Sequence, residues 1–262
     1  MTELKLALLQ TVQHWHEPEQ NRQHFAALLE ESAPGVDLVV MPEMFSTGFT
    51  MASRQLAENM DGPTMQWLQQ QADTRNVHIC CSLIISENHQ YYNRFVLVTP
   101  GSAVQWYDKR HLFRMADEHN HFSPGEQRKI FTINEVRICP QVCYDLRFPV
   151  FIRNQDDYDL LLFVANWPAA RRNHWRALLT ARAIENQCYV VGLNRIGRDG
   201  NDVDYSGDSG VIDFNGDWQL DMQADAAIEH ATIDLAPLQQ YREKFPAWRD
   251  ADHFTLAPPV EH

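Results

Sequence analysis

Two hydrophobic rhythms share this chain. Short apolar runs, some alternating and some continuous, are separated by stretches whose apolar residues recur every three or four positions. Residues 4–10 form a short apolar run that reads as a strand. In residues 18–31, Phe25, Leu28 and Leu29 recur at helical spacing, and Pro34-Gly35 ends the helix. Residues 37–41 are almost continuously apolar, as expected of a strand covered on both faces, and lead into Pro42-Glu43. Strand, helix and strand in this order form a crossover unit.

A second helix follows Gly62-Pro63-Thr64, with Met65, Leu68 and Ala72 on one side. Strands are expected at 77–85, 91–98 and 102–108, the last two joined by the turn Thr99-Pro100-Gly101. Residues 110–124 are irregular and rich in His, Asp and Arg, the kind of long loop that is usually functional or mobile. Strands at 129–133, 136–143 and 159–164 come next, with a turn and a short helix opening at 150–153. The third of these strands ends in Ala165-Asn166-Trp167-Pro168. A helix over 171–187, a strand at 189–194 and a glycine-rich loop over 195–204 lead to short antiparallel strands at 208–214, 218–222 and 229–233. Asn215-Gly216 makes a hairpin turn, and a helix over 235–245 closes the chain. One α/β domain over residues 1–256, followed by an unstructured tail at 257–262, is the simplest division.

At 262 residues the chain can bury a core that needs neither disulfide nor metal. Lys plus Arg number 22 against 35 for Asp plus Glu, a net charge of −13. Such a surface attracts neither nucleic acid nor an anionic membrane, although a local basic pocket for a small acid is compatible with it. No apolar stretch approaches the roughly 20 residues of a membrane span, and the N-terminus does not look like a signal peptide. The five cysteines are odd in number and lack the spacing of a zinc ribbon or disulfide scaffold, which points to the reducing cytoplasm.

Three polar residues stand at or just past expected strand ends: Glu43, Lys109 and Cys143. If those ends converge, the side chains meet at one edge of a sheet, where α/β proteins form ligand crevices. A lone cysteine is more often a small buried hydrophobe. Here, however, Cys143 precedes Tyr144-Asp145-Leu146-Arg147-Phe148, and Glu43 lies between an apolar run and Met44-Phe45. Both are unusual settings for filler residues. Pro140 removes a ladder N–H from the strand leading to Cys143, so a bulge or a strand edge is expected there.

Four segments carry a family resemblance: Leu38-Val39-Val40-Met41-Pro42-Glu43-Met44-Phe45, Tyr107-Asp108-Lys109-Arg110-His111-Leu112-Phe113, Val142-Cys143-Tyr144-Asp145-Leu146-Arg147-Phe148-Pro149 and Arg182-Ala183-Ile184-Glu185-Asn186-Gln187. In their order and spacing they resemble the nitrilase superfamily of carbon–nitrogen hydrolases, which use a Glu-Lys-Cys triad. The run from His111 to His119 is similar to the bacterial omega-amidase branch. The resemblance implies a four-layer α-β-β-α sandwich and a thiol amidohydrolase. Cys143 would be the nucleophile, Glu43 the general base and acid, and Lys109 the oxyanion partner, assisted by a backbone N–H just after Cys143. Glu118 would order the lysine and the substrate; its alternative is a solvated loop acid. Tyr144, Asn166 and Trp167 would line the substrate site, although Trp167 could equally be core packing.

The implied partners are a small-molecule amide, the monoamide of a short dicarboxylic acid, and water. No cofactor and no metal are implied, and the family's habit suggests a homodimer formed through helices near residues 182–187. Arg94, Arg114, Arg147, Arg171 and Arg172 are candidates for a bidentate partner of the far carboxylate and His119 for a monodentate one, with Arg147 less attractive because the segment after Cys143 looks structural. A hydrolase acting on another amide or a carbamoyl group is the nearest alternative. A redox or metal-binding protein is the reading from another class. His111, His119 and His121 with Asp117 and Glu118 could be taken for metal ligands, but no metal-motif spacing is present. Gly197, Gly200 and Gly207 lead into no helix N-terminus, so their segment reads as a plain surface loop.

Overall fold

Leu4, Leu6 and Leu8 point to one side of the first strand and Ala7 and Leu9 to the other, and all five are buried. That double burial sets the architecture seen in a computed structural model, which describes residues 3–257. The first half runs β1 (Glu3–Gln10), α1 (Pro18–Ser32), β2 (Leu38–Val40), α2 (Ser53–Leu56), α3 (Pro63–Arg75), β3 (His78–Glu87), β4 (Gln90–Val98) and β5 (Gln105–Asp108). It continues with β6 (Phe131–Ile133), β7 (Val136–Val142), β8 (Leu160–Ala165), α4 (Arg172–Asn186) and β9 (Tyr189–Asn194). The last part holds β10 (Ile196–Arg198), β11 (Asp204–Ser206), β12 (Gly210–Ile212), β13 (Trp218–Asp221), β14 (Ala227–Asp234) and α5 (Leu235–Lys244).

Two six-stranded mixed sheets result, ordered β14-β1-β2-β3-β4-β5 and β13-β12-β9-β8-β7-β6. Their centres are parallel, with β1, β2 and β3 in one and β7, β8 and β9 in the other. The sheets pack face to face: Leu4, Leu6, Val40, Phe95 and Leu97 share one core with Ile138, Val142, Leu162 and Val191. On the outer face of the first sheet, Phe25 and Leu29 of α1 and Met65 and Leu68 of α3 cover Ala7, Val39 and Ile79. On the second, Trp175 and Leu179 of α4 lie so near Gly192 of β9 that a side chain there would meet Leu179 at 2.6 Å. The chain is therefore layered helix, sheet, sheet, helix. Each leucine taken from water in this core contributes about 1.5–3 kcal/mol.

The element order follows the hydrophobic pattern, and the departures lie mostly at the ends of strands. The strand before Cys143 stops at Val142, and Cys143 opens a 3-10 helix, Cys143–Arg147. The short helix expected at 150–153 is a turn instead. Pro140 sits opposite Leu162 on the β8 side, while β6 pairs only with Val136, Arg137 and Ile138. Among the described residues, one flank of β7 at Pro140 thus has no strand beside it, and the missing N–H is tolerated there. The segment after Asn194 is no plain surface loop, because β10 and β11 pair as a hairpin. Ala257, placed at the head of the unstructured tail, accepts a hydrogen bond from Arg110 Nη2 at 2.7 Å; the rest of that tail lies outside the described residues.

Candidate active site

The ends of β2 and β8 meet at one edge of the molecule, where Asn166 bonds Glu43, and β7, parallel to β8, ends there too. β5 joins them by a different route. It is antiparallel to β4, which is antiparallel to β3, so β5 runs in the direction of β3. Lys109 therefore leaves β5 at the same edge as Glu43 after β2, Cys143 after β7 and Asn166 after β8. Gly125 fixes that exit. Its N–H donates to the Lys109 carbonyl at 2.9 Å, and a Cβ on it would lie 2.0 Å from the Asp108 carbonyl oxygen.

Lys109 is the centre of a dry ionic cluster. Its Nζ donates to Glu43 Oε1 at 3.0 Å and to both carboxylate oxygens of Glu118 at 3.0 Å, and all three side chains are fully buried. Glu43 Oε1 also accepts from Asn93 Nδ2 at 2.7 Å, and Glu43 Oε2 accepts from the backbone N–H of Asn166 at 2.7 Å. Asn166 Nδ2 donates to the Glu43 carbonyl at 2.6 Å, so this residue ties the two sheets together at the site. Glu118 Oε2 receives the N–H of Phe113 at 2.6 Å. Burial alone would push the Lys109 ammonium down, yet the carboxylates of Glu118 and Glu43 outweigh it and hold Lys109 above its ordinary range. Burial raises Glu118, with Lys109 opposing and Glu43 adding to the rise.

Cys143 has φ 46°, in the left-handed region that a β-carbon disfavours. Such strain persists only where the surroundings enforce it, and it clusters at functional sites. The enforcing residue is Asp145, fully buried inside the same turn. Its Oδ2 accepts from the Tyr107 hydroxyl at 2.9 Å and the Val142 N–H at 3.1 Å. Its Oδ1 accepts from the His111 N–H at 3.0 Å, with His111 Nδ1 at 2.7 Å. In the first turn of a 3-10 helix the Tyr144 N–H has no carbonyl behind it, which leaves a backbone donor beside the thiol. Burial pushes the Cys143 thiol well above its usual range, the charge of Glu43 adds to this, and Lys109 offsets only part. The resting group is a thiol, so attack on a carbonyl needs a base, and the nearby carboxylate of Glu43 can serve.

Cys143 is 8% exposed, and that exposure opens into a cavity of about 700 Å³. Lys109, Tyr144, Asn166 and Trp167 line it, while Glu43 and Glu118 stand behind Lys109. The two readings of Trp167 combine: it is 3% exposed, packs against Trp175, and still faces the cavity. Glu118 is not a solvated loop acid. The other charged loop residues disperse, with His111 turned to Asp145 and His119 and His121 beside a separate cavity with His89.

The arginines sort themselves differently from the sequence expectation. Arg94 is buried in ion pairs with Asp108 and Glu87, Arg172 pairs with Asp208, and neither Arg114 nor His119 lines the cavity. Arg171 does line it, and so does Arg147, the less attractive of the candidates. Sequence reasoning also missed Asn93, which shares a face of β4 with Phe95 and Leu97. A lone amide on an otherwise apolar strand face was the available signal. The hairpin of β10 and β11, with Asp199, Asn201, Val203 and Tyr205, supplies another cavity wall. Nothing in its local sequence marks that role. Cys80, Cys81, Cys139 and Cys188 are all buried, and burial raises each thiol, that of Cys139 to about 11.

Comparison with known proteins was consistent with this geometry. The family model described as carbon–nitrogen hydrolase matches residues 5–243. The chain is 49% identical over 259 residues to omega-amidase YafV of Escherichia coli strain K12, covering 98% of this chain and 100% of that protein. It is 33% identical over 238 residues to 2-oxoglutaramate amidase of Bacillus subtilis strain 168, covering 89% and 92%. A crystal structure from Xanthomonas campestris superposes with a TM-score of 0.96 at 46% identity, covering 98% and 100%; it is of a CN-hydrolase superfamily protein with an arsenic adduct in its active site.

Proposed function

The chain belongs to the carbon–nitrogen hydrolase family, and from that premise we propose that it is an omega-amidase. Its substrates are the terminal amides of short dicarboxylic acids, such as 2-oxoglutaramate or 2-oxosuccinamate, and its route is a cysteine thioester. The observation that carries the reading is the dry cluster of Glu43, Lys109 and Glu118 behind a left-handed Cys143 at a cavity wall. Similarity to an omega-amidase and to a 2-oxoglutaramate amidase supports the substrate class.

In the reaction, the Cys143 Sγ–H proton passes to Glu43 as sulfur attacks the amide carbon. Negative charge gathers on the carbonyl oxygen, where the Lys109 ammonium and the Tyr144 N–H meet it. Collapse of this intermediate breaks the C–N bond, and Glu43 returns its proton to the departing nitrogen, releasing ammonia. Water then enters, Glu43 removes its proton, and hydroxide oxygen attacks the thioester carbon. Collapse breaks the C–S bond, Glu43 returns the proton to the sulfur, and the acid departs from the restored thiol. Glu118 holds Lys109 by two contacts, so the ammonium stays fixed while Glu43 changes charge. Buried, free and weakly acidic, the remaining cysteines suit a structural role better than a redox one. A cytoplasmic homodimer completes the reading.

Ammonia release from 2-oxoglutaramate tests the function, with intact-mass detection of an acyl adduct on quenched enzyme. The wild type should release ammonia and carry the adduct, and Cys143→Ala should do neither. Full activity of that variant would overturn the mechanism, and a preference of the wild type for nitriles would overturn the substrate class.

A further inference from the structure

The face of the first sheet that packs against the second is apolar at Cys80, Phe95 and Leu97, yet Ser82 of β3 and Asn93 of β4 stand among them, both buried. A hydroxyl and an amide in such a place cost free energy unless their polar atoms are paired. Here they are. The Met44 N–H donates to Ser82 Oγ at 2.9 Å, and Ser82 Oγ donates to Asn93 Oδ1 at 2.8 Å. Asn93 Nδ2 in turn donates to Glu43 Oε1 at 2.7 Å and to Glu118 Oε1 at 3.3 Å. The main chain adds two contacts: the Phe45 N–H donates to the Ser82 carbonyl at 3.3 Å, and the Lys109 N–H to the Asn93 carbonyl at 2.9 Å. Ser82 thus holds the bend that follows Glu43, where Met44 has φ 44°. Asn93 touches Glu43, Lys109 and Glu118 together.

This chain of donors has one workable direction. A serine hydroxyl carries a single proton, and the Met44 N–H reaches Ser82 Oγ as a donor, so that proton points to Asn93 Oδ1. The amide is thereby turned with its NH2 toward the two carboxylates. Reversed, its oxygen would face Glu43 Oε1 and Glu118 Oε1, an acceptor against two acceptors. The consequence falls on Glu43. Its Oε1 accepts from Lys109 Nζ and from Asn93 Nδ2, which occupies both lone pairs of that oxygen. Among the described residues its Oε2 accepts from the Asn166 N–H alone, so one lone pair stays open. Burial raises the Cys143 thiol, and the Asn166 N–H is among the groups that pull it back. One N–H therefore serves both Oε2 and the sulfur, and the thiol lies on the open side of the carboxylate.

We propose that Ser82 and Asn93 are a positioning pair that reserves Glu43 Oε2 as the basic oxygen of the site: Ser82 sets the direction of the Asn93 amide, and the amide ties down Oε1. The proposal rests on the amidase reading above and names the atom through which that reaction runs. As sulfur attacks, its proton passes to Oε2, the S–H electron pair forms the bond to the amide carbon, and the carbonyl π pair moves to oxygen. When the C–N bond breaks, its pair goes to nitrogen and the proton leaves Oε2 for the same atom. Throughout, Oε1 keeps its two donors, so the carboxylate does not turn between steps. Asn93 also lets one ammonium serve two carboxylates, because a donor shared between them offsets their repulsion without adding charge. Neither Ser82 nor Asn93 lines the cavity, so neither meets the substrate.

The test follows ammonia release from 2-oxoglutaramate by wild type, Ser82→Ala, Asn93→Leu and the double variant, with kcat referred to the folded fraction from urea unfolding. Asn93→Leu leaves Oε1 with Lys109 as its one donor, and kcat should fall about 100-fold. Ser82→Ala frees the amide to turn, and kcat should fall about tenfold. KM should stay within about twofold in both, since neither side chain reaches the cavity. The double variant should be no slower than Asn93→Leu, because Ser82 acts through the amide. A pair that served stability alone would lower the folded fraction and leave kcat unchanged, and that result would overturn the proposal. So would a loss that falls in KM, or a double variant slowed by the product of the two single losses, about 1,000-fold. If Asn93→Leu does not fold, the kcat and KM of Ser82→Ala decide by themselves. A wild type that releases no ammonia from any short omega-amide would overturn the amidase reading, and the pair's role would fall with it.

Discussion

Replacing Glu118 by glutamine preserves its shape and removes one charge from the dry cluster, and the structure says what that should do. Each hydrogen-bond partner of this carboxylate is a donor, although the Glu43 carboxylate also lies close by. Oε1 receives Lys109 Nζ at 3.0 Å and Asn93 Nδ2 at 3.3 Å, and Oε2 receives Lys109 Nζ at 3.0 Å and the Phe113 N–H at 2.6 Å. A glutamine must turn its NH2 toward one of these pairs, so two donors lose an acceptor and confront another donor. Hydrogen bonds to charged groups contribute about 1.5–3 kcal/mol each, which sums to roughly 3–6 kcal/mol. Removing one partner of a buried ion pair costs about 3–5 kcal/mol. The expected destabilisation of Glu118→Gln is therefore about 3–5 kcal/mol, a fall in Tm of about 6–20 °C for a chain this long. Lys109, left with Glu43 as its single carboxylate, should shift toward it and away from the oxyanion. A loss of about 3 kcal/mol in transition-state stabilisation lowers kcat about 100-fold. Urea unfolding with an unchanged m-value measures the first effect, and ammonia release the second. A stability change within about 0.5 kcal/mol, as for an ordinary surface position, together with unaltered turnover would refute the argument.

Two further changes probe other parts of the site. Glu43 raises the Cys143 thiol, so Glu43→Gln should lower the pH at which that thiol ionises. Alkylation of Cys143 by iodoacetamide at neutral pH should then speed up while amide hydrolysis collapses; alkylation that does not speed up would show that the Glu43 charge does not hold the thiol high, and hydrolysis that persists would show that Glu43 is not the base. Asp145→Asn should cost about 2–4 kcal/mol, because two of the donors on Asp145 would lose their acceptor. The left-handed turn at Cys143 should loosen, lowering kcat more than it raises KM. An unchanged Tm would show that something other than Asp145 enforces that turn.

The proposed trio was legible because strand ends are legible. Apolar runs locate β2, β5 and β7, and Glu43, Lys109 and Cys143 follow within a few residues of those runs. The opposite is true of the residues that support them. Asn166 reaches Glu43 across 123 residues of sequence, and nothing near either one announces the other. Asp145 is part of the segment around Cys143 in the sequence, but only the structure places Tyr107 and His111 on it. Arg147 ranked low because its neighbours look structural, and they are: Leu146 is fully buried, and its carbonyl accepts from Arg182. Yet a short helix sends successive side chains in different directions, and Arg147 points where Leu146 does not.

By itself, then, the sequence determined what depends on local pattern: the order of strands and helices, the doubly buried sheets, and three reactive groups placed at strand ends. Hydrophobic periodicity encodes those features one residue after another, so they can be read without knowing what touches what. Only the tertiary structure decided the rest. Two antiparallel steps turned β5 so that Lys109 arrived beside Glu43, burial made the Cys143 thiol a weak acid, and a distant hairpin closed the cavity. These are consequences of distance and solvent exclusion between segments far apart in the chain. Charge interactions strengthen when water leaves, and which groups it leaves is settled only when the two sheets close.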